Sequence, residues 1–104
     1  MERLFNSRGD HLANLIGNEL HAPTGENIGH YLPQPGIFIG MSGRYLGEIV
    51  SGNRLMFNRL SPHTATSFGL QGSYGSAGSY GSPGSIGSMG IMAGYDDVQA
   101  DWMR

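Results

Sequence analysis

The chain has 104 residues, no cysteine, no lysine and a formal net charge of −2, and its charged fraction of 13% is about half that of ordinary soluble domains. The missing cysteines exclude disulfides, zinc ribbons and thiol catalysis, and the missing basic excess argues against a nucleic-acid or anionic-membrane surface. The length allows one small domain with a modest core, which disfavours a large enzyme with an enclosed pocket.

The first half is a repeat. Leu4 to Gly17, Leu20 to Pro33 and Phe38 to Ser51 superpose without gaps. Each carries glycine at its sixth position, as Gly9, Gly25 and Gly43. Three residues later comes a branched aliphatic (Leu12, Ile28, Leu46), next a residue with little or no side chain (Ala13, Gly29, Gly47), and two further on a bulky one (Leu15, Tyr31, Ile49). Arg8-Gly9, Thr24-Gly25 and Ser42-Gly43 supply the positive φ of tight hairpin turns between short apolar runs, so each unit is predicted to be a β-hairpin. Pairing around those turns sets Phe5 opposite Leu12, His21 opposite Ile28 and Ile39 opposite Leu46. The small residue then marks a close approach of the neighbouring hairpin.

A fourth unit starts at Leu55-Met56-Phe57-Asn58, echoing Leu4-Phe5-Asn6, and stops. An isolated hairpin is marginal in water, so the copies must pack on one another. The truncated copy favours a closed ring, with a last strand hiding the edge of the first, over an open meander of six or seven strands. The predicted fold is all-β, a ring-like flower of three full hairpins plus a closing strand over residues 1–59, followed by a glycine-rich tail.

Residues 60–68 read as a linker. No charge occurs from Leu60 to Tyr95, and from Gly69 to Met92 glycine returns at every third position. The tract, residues 69–94, has two readings: a flexible Gly/Ser linker, or an extended glycine-edged chain that self-associates or folds back on the β-domain. Residues 95–104 form an acidic, aromatic tip, in which Val98, Trp102 and Met103 share a face if the segment is helical, with Asp96 and Asp97 at the helix start.

The glycine-turn hairpins, the segment GRYLGEIVSGNRLMFN at 43–58, the Gly-x-x tract and the closing GYDDV together resemble the bacterial four-fold β-flower family of small proteins. The resemblance covers the layout of the whole chain and residues 3–59 in detail. It implies a compact flower of β-hairpins with a triplet tail, and it brings no established activity or catalytic residue. The chain departs from the pattern at Ala22-Pro23-Thr24-Gly25, which lacks the polar lead-in to the turn, and in triplets that are rich in serine rather than proline.

His11, His21, His30 and His63 lack the short paired spacings of metal ligands, and no serine sits in a nucleophile-elbow setting. The Gly-Ser runs lack the lysine and the strand-to-helix context of a phosphate loop. One repeat column holds Asn14, His30 and Glu48. Pointing inward, these three would converge on the ring axis as a polar plug or small binding site; pointing outward, they are solvated positions on three hairpins. The expected function is therefore a non-enzymatic structural or protein-interaction module without cofactor or metal, displaying a surface and using its tail for tethering or self-association. Trp102, Tyr95 and Asp96 are the expected partner contact, and Gly9, Gly25 and Gly43 the structural turns. The alternative is a small-ligand or metal binder at Asn14, His30 and Glu48. No apolar run reaches the ~20 residues of a membrane helix and Met1-Glu2-Arg3 does not open a signal peptide, which points to the cytoplasm and away from membranes.

Overall fold

A computed structural model of the chain describes residues 1–50, 53–69, 84, 87, 90 and 93–98. They form eight strands: β1 (Glu2–Phe5), β2 (His11–Ile16), β3 (Glu19–His21), β4 (Asn27–Leu32), β5 (Ile37–Gly40), β6 (Tyr45–Val50), β7 (Arg54–Asn58) and β8 (Tyr95–Asp97). The strands pair in sequence order, and β7 also meets β1 in parallel at Phe5↔Arg54, which closes seven hairpin-connected strands into a barrel-like ring. β8 adds to this ring as an antiparallel neighbour of β7. Among the described residues there is no helix, hence none long and apolar enough to cross a membrane.

The three turns are copies of one another. Gly9 N donates to Asn6 O at 3.0 Å, Gly25 N to Ala22 O at 2.8 Å and Gly43 N to Gly40 O at 2.9 Å. The next pairs inward, Asn6 N to Asp10 O, Ala22 N to Glu26 O and Gly40 N to Arg44 O, are 3.0, 2.8 and 2.8 Å. Each turn glycine has φ between +85° and +99°, the left-handed conformation that a side chain disfavours. The proline lead-in of the second turn does not disturb this geometry.

Strand pairing departs from the expected register by one residue in every hairpin. Phe5 lies opposite His11, His21 opposite Asn27 and Ile39 opposite Tyr45, rather than opposite Leu12, Ile28 and Leu46. The cause is a β-bulge: Leu12, Ile28 and Leu46 are each the extra residue at the register shift, so the aliphatic column is the bulge column. The bulge sends that residue to the same side as its small successor. Ile28 and Leu46 are accordingly buried in one cluster with Leu4, Ala13, Leu20, Phe38 and Leu55, and half-buried Leu12 packs against it.

Across each hairpin a large first-strand residue faces the small one: Leu4↔Ala13, Leu20↔Gly29 and Phe38↔Gly47. The small residue also admits the next hairpin. A Cβ on Gly29 would strike the Ile39 carbonyl of β5, and one on Gly47 the Met56 carbonyl of β7. The ring interior is thus filled from alternate strand positions, while the bulges tilt one extra aliphatic per hairpin into it.

The opposite face of β5 and β6 has its own cover. Ile37, Ile39 and Tyr45 are buried there with Leu32, Phe57 and Phe68 packed against them, and the His63 ring lies 6.4 Å from Tyr45 and 6.1 Å from Phe68. The segment expected to be a linker at 60–68 therefore roofs the third hairpin, with Ser61 buried and Ser67 bridged to Arg44. The C-terminal tip is also not helical where it is described: Tyr95–Asp97 is strand β8, and Val98 joins the central cluster at 5% exposure.

Candidate functional site

Asn14, His30 and Glu48 sit on β2, β4 and β6, one residue after Ala13, Gly29 and Gly47. Strand alternation therefore turns them to the face opposite the central cluster, on three separate hairpins. They are not solvated positions of the kind expected for outward side chains, because Asn14 is 1% and His30 7% exposed and Glu48 is half-buried.

Their partners differ. Asn14 Oδ1 is 2.8 Å from His11 Nε2, while its Nδ2 is buried without a partner among the described residues. His30 is opposed by Glu19 on one side and by Ile39 on the other. Glu48 is the acceptor of a network that joins the third hairpin to β7 and β8. Tyr45 Oη donates to Oε2 at 3.2 Å, and Asn58 Nδ2 and Tyr95 Oη donate to Oε1 at 3.4 and 3.3 Å. The Asn58 amide in turn donates to Tyr45 Oη at 3.3 Å.

Burial pushes the Tyr45 phenol above its ordinary value, an effect that the Asn58 amide opposes and the Glu48 carboxylate reinforces. Tyr95 is raised by desolvation and by Glu48. Both phenols therefore remain protonated donors at neutral pH, and neither is an activated nucleophile. Both ring nitrogens of His21 are engaged within its own hairpin, 3.0 Å from Glu19 Oε1 and 2.9 Å from the Gly25 carbonyl. Among the described residues, no three His, Asp or Glu side chains are grouped to hold a metal ion.

The residues expected at a partner contact divide. Tyr95 is half-buried on Glu48, Asp96 accepts from Arg59 Nη1 at 3.1 Å, and Trp102 lies outside the described residues. Next to the Arg59–Asp96 pair stands Leu60, 83% exposed.

Sequence reasoning missed the seam where the last strands meet the first hairpin. Ser7 donates both its backbone N–H and its hydroxyl to the Asp97 carboxylate, at 2.7 and 2.8 Å, and Arg8 Nη1 lies 3.8 Å from it. Arg54 Nη1 donates to the Asn6 and Ser7 carbonyls at 3.0 and 3.1 Å, and Phe5 N to the Asn53 carbonyl at 2.9 Å. The available signal was the series Asp96-Asp97-Val98, which repeats Asp10-His11-Leu12 in kind: acid, polar residue, branched aliphatic. Compared with family models, curated proteins and solved structures, the chain matches none.

Proposed function

We propose that the protein is a non-enzymatic structural or protein-interaction module of the β-flower kind that its sequence resembles. The observation that carries this reading is the use to which the polar column is put. Glu48 acts as a fastener that draws β6, β7 and β8 together, and Asn14 Oδ1 meets His11 on its own strand. A carboxylate already accepting from three donors has little capacity left for a ligand.

The surface offered outward is the β7–β8 corner, where exposed Leu60 lies over Gly94 and follows Arg59, the partner of Asp96. An exposed apolar side chain next to a charged pair has the composition of a small contact surface. Sedimentation of the full chain over a range of concentrations tests it. Association that Leu60→Ser weakens is the expected result. Saturable heat on titrating divalent metal, lost in Asn14→Ala or Glu48→Gln, would instead favour a ligand or metal site in the column.

A further inference from the structure

The segment at 94–98 is read residue by residue. The Gly94 carbonyl accepts from the Arg59 amide at 2.8 Å, and its φ of +85° suits glycine. Tyr95 reaches Glu48, Asp96 reaches Arg59, and Asp97 receives both the amide and the hydroxyl of Ser7. Val98 enters the central cluster, which holds Leu4 of β1 and Leu55 of β7. Backbone pairing with β7 fixes the register, with Met56 opposite Asp97, Phe57 opposite Asp96 and Asn58 opposite Tyr95.

The slot that receives this segment is particular to one corner. Ser7 occupies the repeat column that holds Pro23 and Met41 in the other hairpins. Proline has no N–H and methionine no hydroxyl, so of the three turns only the first can offer a carboxylate both donors. Charge matches as well: Arg8 lies 3.8 Å from Asp97, and Arg59 3.1 Å from Asp96. Each of these partners precedes Leu60 in the chain, whereas their occupant arrives after a connection of thirty-six residues. Fully extended, a connection of that length spans up to about 120 Å, against 34 Å for the largest dimension of the molecule. Covalent geometry therefore does not oblige slot and segment to belong to the same copy.

We propose that this slot is a strand-addition site for the sequence Gly-Tyr-Asp-Asp-Val, and that two copies of the protein fill each other's slots by exchanging residues 94–98. The occupant is a second copy because its segment carries all five features that the slot reads, and reciprocal exchange keeps each of the contacts above under two-fold symmetry. The inference rests on the reading of the chain as an interaction module, but it uses the seam and not Leu60. Within one chain the tether supplies the segment at high effective concentration, so exchange is read where closure in cis is barred.

Two full-length variants bar it. Ser7→Asp sets a carboxylate against Asp97, and Asp97→Arg sets a guanidinium against Arg8, so each chain rejects its own segment. In a mixture the Ser7→Asp slot receives the Asp97→Arg segment, the unaltered slot receives the unaltered segment, and both rings close. Sedimentation is expected to show a one-to-one dimer in the mixture, at about ten times the fraction found for either variant alone. Both substitutions in one chain are expected to give a monomer whose denaturation midpoint recovers towards that of the wild type. Failure to recover would overturn the reading of residue 97 by the first turn. With that control recovered, a mixture that stays monomeric would overturn the exchange. A dimer that survives Val98→Asp in both chains would overturn it too, because the association would then use another surface. Leu60→Ser in both chains is expected to leave the dimer in place, and its loss would assign the association to the β7–β8 corner instead.

Discussion

The third hairpin passes from β5 to β6 in four residues, whereas β7 reaches β8 only after thirty-six, and both pairs are antiparallel neighbours in the same sheet. Loop-closure entropy makes the longer connection less favourable by about 2 kcal/mol. A strand returning from so far needs anchors that a local hairpin does not. β8 has them: Asp97 is held by Ser7, Asp96 by Arg59 and Tyr95 by Glu48, and Val98 is buried in the central cluster. The comparison shows that this architecture defines a hairpin unit by its inner aliphatic and its neighbours, and that the turn is replaceable.

The most direct way to break that equivalence is to shorten the inner aliphatics. Leu46→Ala is expected to cost about 2 to 5 kcal/mol, and Val98→Ala about 2 kcal/mol because fewer buried methyls are lost. If chemical denaturation shows Leu46→Ala destabilised and Val98→Ala unchanged, the β7–β8 pair is an appendage and not a fourth unit of the core.

A somewhat smaller effect sharpens the contact between the two regions. Gly47 of the third hairpin lies against the Met56 carbonyl of β7, so Gly47→Val forces backbone apart and is expected to cost about 1 to 3 kcal/mol. Ala13 fills the same column in the first hairpin and is buried without any such substitution, which restricts the strict need for glycine to the second and third hairpins. An unaltered midpoint for Gly47→Val would mean that β6 and β7 can separate at little cost.

Asp97 ties the returning strand to the first hairpin, and Asp97→Asn keeps its size while weakening the charge-assisted bonds from Ser7 and removing the ion pair with Arg8. A loss of about 1 kcal/mol is expected for this half-buried group. Ser7→Ala tests the same bond from the other side, and additive losses in the double variant would show that the two side chains do not act through each other.

The hairpins were legible because a turn glycine, a bulge aliphatic and a small residue recur at fixed spacing, and each is demanded by local backbone geometry. The bulge itself was not, because counting residues outward from the turn assumes a pairing of one against one. Leu12, Ile28 and Leu46 instead enter the ladder as extra residues. The return strand was hidden for a different reason. Thirty-six residues separate it from its partner strand, and Asp96-Asp97-Val98 carries no turn of its own to announce it. Asn14, His30 and Glu48 were found as a column, but strand pairing alone does not reveal that a loop at 61–68 and strand β8 would supply partners to the outer face.

The smallest expected effect concerns how the third hairpin is fastened to the fourth corner. Tyr45 and Tyr95 both donate to Glu48, and both phenols titrate above their ordinary value, chiefly through desolvation. In the unfolded chain these phenols lose their protons near pH 10. As pH rises past that point the unfolded state sheds protons before the folded state does, so the native state binds more protons and stability falls with pH. The contribution is fully present below about pH 10 and disappears as pH climbs through the folded value. Tyr45→Phe with Tyr95→Phe removes the groups, lowering stability at neutral pH but flattening its alkaline decline. Denaturation midpoints measured from about pH 8 to pH 11 distinguish this from a loose contact: equal slopes for the wild type and the double variant would show that the phenols are not desolvated against Glu48, and that β8 is held by Asp97 and Val98 without them.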